Sequence, residues 1–292
     1  MIREQYRPAL FLILAVLFWA GNYMAGKYVV TELTPLQLTF ARWFTAIFFL
    51  FPIAQWRERP DWKQVAGEWK KLLAMAILGL IGYNLVLYEA LRFTTPLNAA
   101  LINSINPASI FLFSSLVLHE QISRANIFGL IISLTGVLIV LTNGQLQQVL
   151  QIDYNAGDLL MLLAILSWTF YTLIGRKMQG IPPIAATTIS TLFGLLLMLP
   201  FVLSTGFPVS VSTGALTGVV YIALFPSVGS FLLWNMAVLK VQANQAGIYL
   251  HLLPVFTAIF SILLGNTITL FQIVGGLLVF AGVYLTTMKK NR

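Results

Sequence analysis

The chain has no cysteine in its 292 residues. Disulfides and thiolate metal sites are therefore excluded, and the redox compartment leaves no trace in the sequence. Charge is scarce: 9% of residues are Asp, Glu, Lys or Arg, where a soluble domain carries roughly 25%. Only two histidines occur, His119 and His251, which argues against a multi-histidine centre, so neither a metal nor a cofactor is expected. No Ser-His set, paired acids or histidine cluster falls inside an apolar run, so a membrane-embedded enzyme is not expected either. The basic residues are dispersed rather than clustered with aromatics, which argues against nucleic acid as the partner of a +8 chain.

What the chain has is length in hydrocarbon. The hydrophobic fraction is 59%, and a spanning helix needs about 20 mostly apolar residues. Ten segments qualify: roughly 8–29, 35–55, 71–92, 96–118, 125–143, 156–177, 183–204, 216–239, 243–264 and 267–288. They are too long and unbroken for barrel strands, which alternate over about 10 residues. The first is longer than a signal-peptide core and a second span follows at once, so cleavage is not expected. The partner these segments imply is the lipid bilayer.

Lys and Arg are retained on the cytoplasmic side of a membrane. Arg3, Arg7, Arg57, Arg59, Lys63, Lys70, Lys71, Arg124, Arg176, Lys177, Lys240, Lys289, Lys290 and Arg292 all fall on one side of a ten-span chain, 14 of its 17 basic residues. Lys27 and Arg92 fall at helix ends on the other side, and Arg42 lies inside the second span. Both termini are predicted to be cytoplasmic.

The chain also repeats itself. Asn98 to Pro107, an apolar run to His119-Glu120, Ile122-Ser123, Gly129 and Gly136 are matched by Gln245 to Pro254, an apolar run to Gly265-Asn266, Ile268-Thr269, Gly275 and Gly282, with the prolines 147 positions apart. Ala15, Leu17 and Trp19 match Ala164, Leu166 and Trp168; Lys27 falls on Arg176; Gly79 and Gly82 fall on Pro226 and Gly229. Each half holds five spans, an odd number, so the second copy enters from the opposite side. The expected fold is all-α: ten transmembrane helices as two inverted five-helix repeats, 1–146 and 147–292, around a central cavity.

The run from Pro107 through Glu120, Ile122-Ser123, Gly129 and Gly136-Val137, repeated from Pro254 to Gly282-Val283, resembles the signature of the drug/metabolite transporter superfamily, in its EamA branch. Within it the chain is most similar to the YddG-type amino-acid exporters of bacterial inner membranes. The resemblance covers nearly the whole chain and implies the same ten-helix inverted repeat and a central substrate cavity. One departure is visible: Asn266 replaces the acid of Glu120 in the second copy.

Polar groups inside a bilayer need partners, so each asks for an explanation. Asn103 and Asn106, three apart, share a face of the fourth span that Asn98 and Ser109 extend; they line a wet cavity or serve as amide glue between helices. Tyr249 and His251 precede Pro254. His251 is a candidate for substrate contact, gating or proton uptake, or is a neutral ring bonded to a carbonyl freed by the proline. Trp19, Asn22 and Tyr23 on the first span, Tyr83 on the third, Trp168 and Tyr171 on the sixth and Trp234 on the eighth suit the walls of a cavity or lipid-facing packing, and Trp19 and Trp168 are too deep for an interfacial belt. Arg42 pairs with Glu89 or anchors a substrate carboxylate. Gly79, Pro107, Pro226 and Pro254 are weak points where helices can bend. The first span lacks the embedded acid of cation-drug antiporters, which disfavours that activity. The reading is a secondary transporter exporting amino acids, aromatic ones included, or related small metabolites. The alternatives are export of nucleotide sugars or drug-like molecules on the same scaffold, or passive facilitation. Proton coupling is left open.

Overall fold

The computed structural model describes residues 6–94, 96–147, 155–208, 210–263 and 269–287. Arg3, Gly265, Asn266, Ile268, Lys289, Lys290 and Arg292 lie outside them, as does the side chain of Asn98. The described chain is helical, with no strand. Eight of its helices are long and apolar enough to cross a bilayer: Arg7–Val29, Pro35–Arg57, Trp69–Phe93, Ala99–Leu118, Arg124–Thr142, Ala156–Arg176, Pro183–Thr205 and Thr213–Val238; a shorter apolar helix covers Leu270–Thr286.

The helices begin where local chemistry starts them. Helix α1 (Arg7–Val29) has Pro8 in its first turn. Thr34 starts α2 (Pro35–Arg57) through a capping box with Gln37, satisfying N–H groups that a helix start leaves open. Asp61 caps the short helix α3 (Trp62–Gly67), which lies between two of the expected spans. Ser123 caps α8 (Arg124–Thr142), and a capping box of Asn155 and Asp158 starts α9 (Ala156–Arg176). Helix α10 (Pro183–Thr205) carries Pro183 at its start.

The two expected spans around 71–92 and 216–239 are built alike. Helix α4 (Trp69–Met75) runs through a π-helical turn at Ala76–Tyr83 into α5 (Asn84–Phe93). Helix α11 (Thr213–Ile222) runs through a π-helical turn at Ala223–Ser230 into α12 (Phe231–Val238). Gly79 lies in the first turn and Pro226 in the second. A wide turn frees carbonyls, which must be paired in an apolar interior. Asn84 Nδ2 donates to the carbonyls of Gly79 and Leu80, both at 2.9 Å. Ser227 Oγ donates to Ile222 at 2.8 Å, and Trp19 Nε1 to Pro226 at 3.1 Å.

Two expected spans are interrupted rather than continuous. The fourth divides into α6 (Pro96–Asn103) and α7 (Asn106–Leu118), with Pro107 in the first turn of α7; a proline has no N–H to continue the ladder from α6. The segment from 243 divides into α13 (Ala243–Gly247), a 3₁₀ turn at Ile248–His251 and α14 (Leu252–Leu263), with Pro254 at the start of α14. Helix α15 (Leu270–Thr287) follows.

Helices α8 and α15 pack backbone to backbone. A Cβ on Gly136 would stand 2.5 Å from the Gly275 carbonyl oxygen, and one on Gly282 would stand 2.5 Å from that of Gly129. Only glycine allows that approach, the geometry small residues give helix pairs in lipid. The exposed faces are apolar, with Phe48, Phe201, Leu203 and Leu277 among the large side chains outside, while Arg42, Asn84, Asn106 and Asn235 are inside. That inversion of the soluble pattern fits a hydrocarbon solvent.

Candidate functional site

Aromatic side chains from both halves meet in the interior. Trp19 of α1 and Trp168 of α9 stand edge to face at 4.9 Å between ring centroids. Trp234 lies 5.5 Å from each of them. Tyr83 and Tyr171 each lie 5.0 Å from Trp168. Phe231 fills the gap between Trp168 and Trp43, at 5.5 and 4.8 Å. The sequence singled out these residues except Phe231 and Trp43, which sit among ordinary apolar neighbours and give no polar or positional signal. Edge-to-face pairs hold such rings together beyond their burial alone. The indole N–H groups of Trp43, Trp168 and Trp234 are buried without a hydrogen-bond partner.

Polar groups edge this assembly. Tyr88 donates to Asn22 Oδ1 at 2.8 Å. Asn235 donates from Nδ2 to Thr187 at 2.9 Å and lies 3.0 Å from the Tyr171 hydroxyl through its Oδ1. Tyr23 and Tyr83 touch through their hydroxyls at 3.5 Å. A small recess, partly open to the outside, reaches Asn235 and is lined also by Met75, Gly175, Met178, Ile181 and Leu239.

Arg42 is fully buried beside the rings. Its Nε donates to Ser227 Oγ at 2.7 Å, and its Nη1 to Asn84 Oδ1 at 2.7 Å and the Tyr88 hydroxyl at 2.5 Å. The guanidinium carbon lies 5.3 Å from the Trp43 ring and 5.7 Å from that of Tyr88. Nη2 has no partner. The expected pair of Arg42 with Glu89 is corrected: Glu89 bonds Arg92 at 3.1 Å, three residues on along the same helix. That local pair costs little to form, while Arg42 meets the neutral oxygens of Ser227, Asn84 and Tyr88 instead.

A second group gathers at the two interrupted segments. His251 Nε2 donates to the Ser104 carbonyl at 2.9 Å, and Ser133 Oγ meets Nδ1 at 2.6 Å. A carbonyl only accepts, so Nε2 carries a proton, and the Ser133 hydroxyl at Nδ1 also lies 3.1 Å from the Leu130 carbonyl. Asn106 Nδ2 donates to Asn103 Oδ1 at 3.3 Å, leaving Asn106 Oδ1 buried without a partner. Ser109 bonds Thr169 across to α9 at 2.9 Å. Tyr249 is buried in the same turn as His251. His119 takes a left-handed conformation after α7, φ 54°. The structure thus brings the aromatic candidates together in one place and Asn103, Asn106 and His251 in another.

Three carboxylates, of which only Glu120 stands in the repeated motif, tie the halves together at helix starts, where N–H groups and the dipole favour negative charge. Glu58 accepts from the backbone of Ile184 and Ala185 at 3.0 and 2.8 Å. Glu120 accepts from Ala243 and Asn244 at 2.9 and 3.2 Å and faces Arg176 at 3.7 Å. Glu32 accepts from the Ser212 N–H at 2.7 Å and from its hydroxyl. Burial raises the Glu58 carboxyl above its ordinary value, and the two amides pull it partway back. The Ser212 hydroxyl, then its N–H, lower that of Glu32.

A family model described as "EamA-like transporter family" matches residues 7–142 and 155–288. An "Uncharacterized transporter" of Archaeoglobus fulgidus is 29% identical, over 97% of this chain and 98% of its own. "Uncharacterized transporter YyaM" of Bacillus subtilis is 27% identical, over 91% and 89%. The "Probable amino-acid metabolite efflux pump" of Salmonella typhimurium is 25% identical, over 94% and 92%. A crystal structure at 18% identity superposes with a TM-score of 0.78, covering 99% of this chain and 100% of the other, a likeness of fold.

Proposed function

From the premise that the chain belongs to the EamA-like transporter family, we propose that it is a secondary transporter of the YddG type, exporting amino acids, aromatic ones included, or related small metabolites across the bacterial cytoplasmic membrane. One observation carries the reading: the interior where the two halves meet is an aromatic and polar assembly with unpartnered N–H donors, not an aliphatic seal. Ligand sites combine apolar walls with a few placed polar groups. The printed name of the Salmonella typhimurium relative supports amino-acid metabolites as cargo.

The architecture in this reading is ten spans in two inverted repeats, 1–146 and 147–292, with both termini cytoplasmic. Contacts that recur between the halves support it. Tyr88 bonds Asn22, and at the matching places Asn235 bonds Tyr171, with the residue types exchanged. Lys27 donates to the Leu91 carbonyl, and Arg176, its match, to that of Leu239. The two π-helical turns begin 147 positions apart. His251 touches Ser104, which lies 147 positions before it; a residue in contact with its own counterpart lies near a two-fold axis. Gly129 with Gly282 and Gly136 with Gly275 cross in the reciprocal way such an axis imposes.

Transport then works by rocking one repeat against the other around the aromatic chamber. Trp19, Tyr23, Tyr83, Trp168, Tyr171 and Trp234 wall the chamber and Asn22 supplies polar contact there, while Asn103 and Asn106 offer polar contact from the second group, at the interrupted segments. Tyr249 and His251 form the turn beside it. Gly79, Pro107, Pro226 and Pro254 let the helices bend. Arg42 is the carboxylate anchor. Because both His251 nitrogens are held by neutral groups, we assign it a pinning role.

Counterflow of radiolabelled amino acids in proteoliposomes tests the reading. Trp168→Ala and Asn106→Leu are expected to reduce counterflow several-fold while the protein stays monodisperse in detergent. Unchanged counterflow in both would remove the chamber assignment. His251→Gln is expected to leave the pH profile of transport unaltered.

A further inference from the structure

When one repeat rocks against the other, one end of the molecule opens as the other closes. A bond that crosses between the repeats at one end must break when that end opens. Such bonds stand at both ends. At the cytoplasmic end Glu120, which follows α7, accepts from the Ala243 and Asn244 N–H groups at the start of α13. At the outer end Glu32, which follows α1, accepts from the N–H and the hydroxyl of Ser212, the residue that caps α11. In each case a carboxylate of the first repeat holds the start of a helix of the second. The pair α2 and α10 is tied at both ends, by Glu58 to Ile184 and Ala185 and by Gln37 Nε2 to the Gly206 carbonyl at 2.6 Å. That pair therefore favours neither direction, and the bias lies with Glu120 and Glu32.

The two carboxylates are unequal. The Glu120 side chain is 8% exposed, and Arg176 Nε stands 3.7 Å from it. Arg176 is itself held by the Leu239 carbonyl at 2.9 Å. Glu120 thus engages α13 directly, and α9 and α12 through Arg176. Glu32 is half-buried, and no base meets it among the described residues. A charge-assisted bond away from water is strong and is screened less than one at the surface. The repeat carries the same inequality. The counterpart of Arg176 is Lys27, which donates to the carbonyls of Leu91 and Thr94 at the outer end. Among the described residues no carboxylate pairs with Lys27, and the sequence counterpart of Glu120 is the uncharged Asn266.

We propose that Glu120 and Glu32 are opposed gate latches, the first holding the cytoplasmic end shut and the second the outer end. The Glu120 latch is the stronger, so the carrier without cargo rests with its cytoplasmic end closed. The inference rests on the two-repeat transporter reading and adds to it which bonds must break at each step.

The chain has no cysteine, so single cysteines can report on the full-length protein. Ala246 and Ala215 are both fully buried, each three residues beyond a latched amide. Ala246→Cys reads the cytoplasmic end and Ala215→Cys the outer end, through the rate of labelling by a water-soluble maleimide in detergent. Glu120→Gln is expected to raise the rate at Ala246→Cys about fivefold and to lower it at Ala215→Cys. Glu32→Gln is expected to do the reverse, by about twofold. The fall at the far end is decisive, because local fraying raises one rate and leaves the other alone. A rise at one end alone, a rise at both or no change at either overturns the inference. Should Glu120→Gln fail to fold, the two rates in Glu32→Gln decide by the same criterion. If the rates overturn the latches while Trp168→Ala still lowers amino-acid counterflow, the transporter reading stands without them. Reciprocal rates without any amino-acid counterflow would keep the latches and remove the cargo.

Discussion

Glu32 and Glu58 do similar work under opposite influences, and pH separates them. The Ser212 contacts lower the Glu32 carboxyl, so its contribution to stability is present above the ordinary carboxylate range and is lost as pH falls through the folded value. Burial raises Glu58, so the sign reverses: its contribution is full below the ordinary value and is lost as pH rises through the folded one. Glu32→Gln is therefore expected to lower Tm near neutral pH, with the gap to the unmodified protein closing as pH falls through the folded Glu32 value, below the ordinary carboxylate range. Glu58→Gln is expected to match or exceed the unmodified protein near neutral pH and to lose ground on acidification. Thermal unfolding in detergent across that range checks both. At this scale the sequence was a partial guide. Arg42 stood out as a base well inside a span. Of its partners Ser227 did not, because a serine beside a proline is ordinary in membrane helices. The expected partner, Glu89, had a nearer base on its own helix.

Single helices carry their function in their irregularities. The wide turn at Ala76–Tyr83 exists with Gly79 against the ring of Tyr171, where a Cβ would collide. Gly79→Ala is expected to push that ring from Asn235 and to cost about 1–3 kcal/mol, as overpacking does, with a measurable change in tryptophan emission. Glycine and proline made the weak places of these helices legible in advance. The form of the weakness was not legible, since whether a helix kinks, widens or breaks depends on which side chains reach the freed carbonyls. Asn84, Ser227 and Trp19 reach them at the wide turns, and His251 reaches Ser104 at the break before Pro107. The short helix α3 was missed because six residues between charged neighbours give too little period to read.

For the molecule as a whole, the apolar runs and their duplication were the plain signal, because hydrocarbon requires long helices and a copied block keeps its glycines where backbones touch. The reciprocal crossing of α8 and α15 is expected to govern stability. Gly136→Ala places a Cβ against the Gly275 carbonyl, whereas Gly67→Ala meets open space, so the first is expected to lower Tm sharply and the second hardly at all. Labelling of cysteines introduced at the two ends of the chain is expected to report the same face of the bilayer. What composition and spacing left unseen was the seam, since the carboxylates of Glu58, Glu120 and Glu32 reach backbone amides more than 120 positions away.

The lone guanidinium also has an electrical corollary. A carrier with one fixed positive charge in its interior keeps that charge both when empty and when it holds a zwitterionic passenger. Membrane voltage, worth roughly 2.3 kcal/mol per elementary charge per 100 mV, then acts on the laden crossing as well as on the unladen return. Potassium gradients clamped with valinomycin are expected to change the turnover of net efflux and of one-for-one exchange alike.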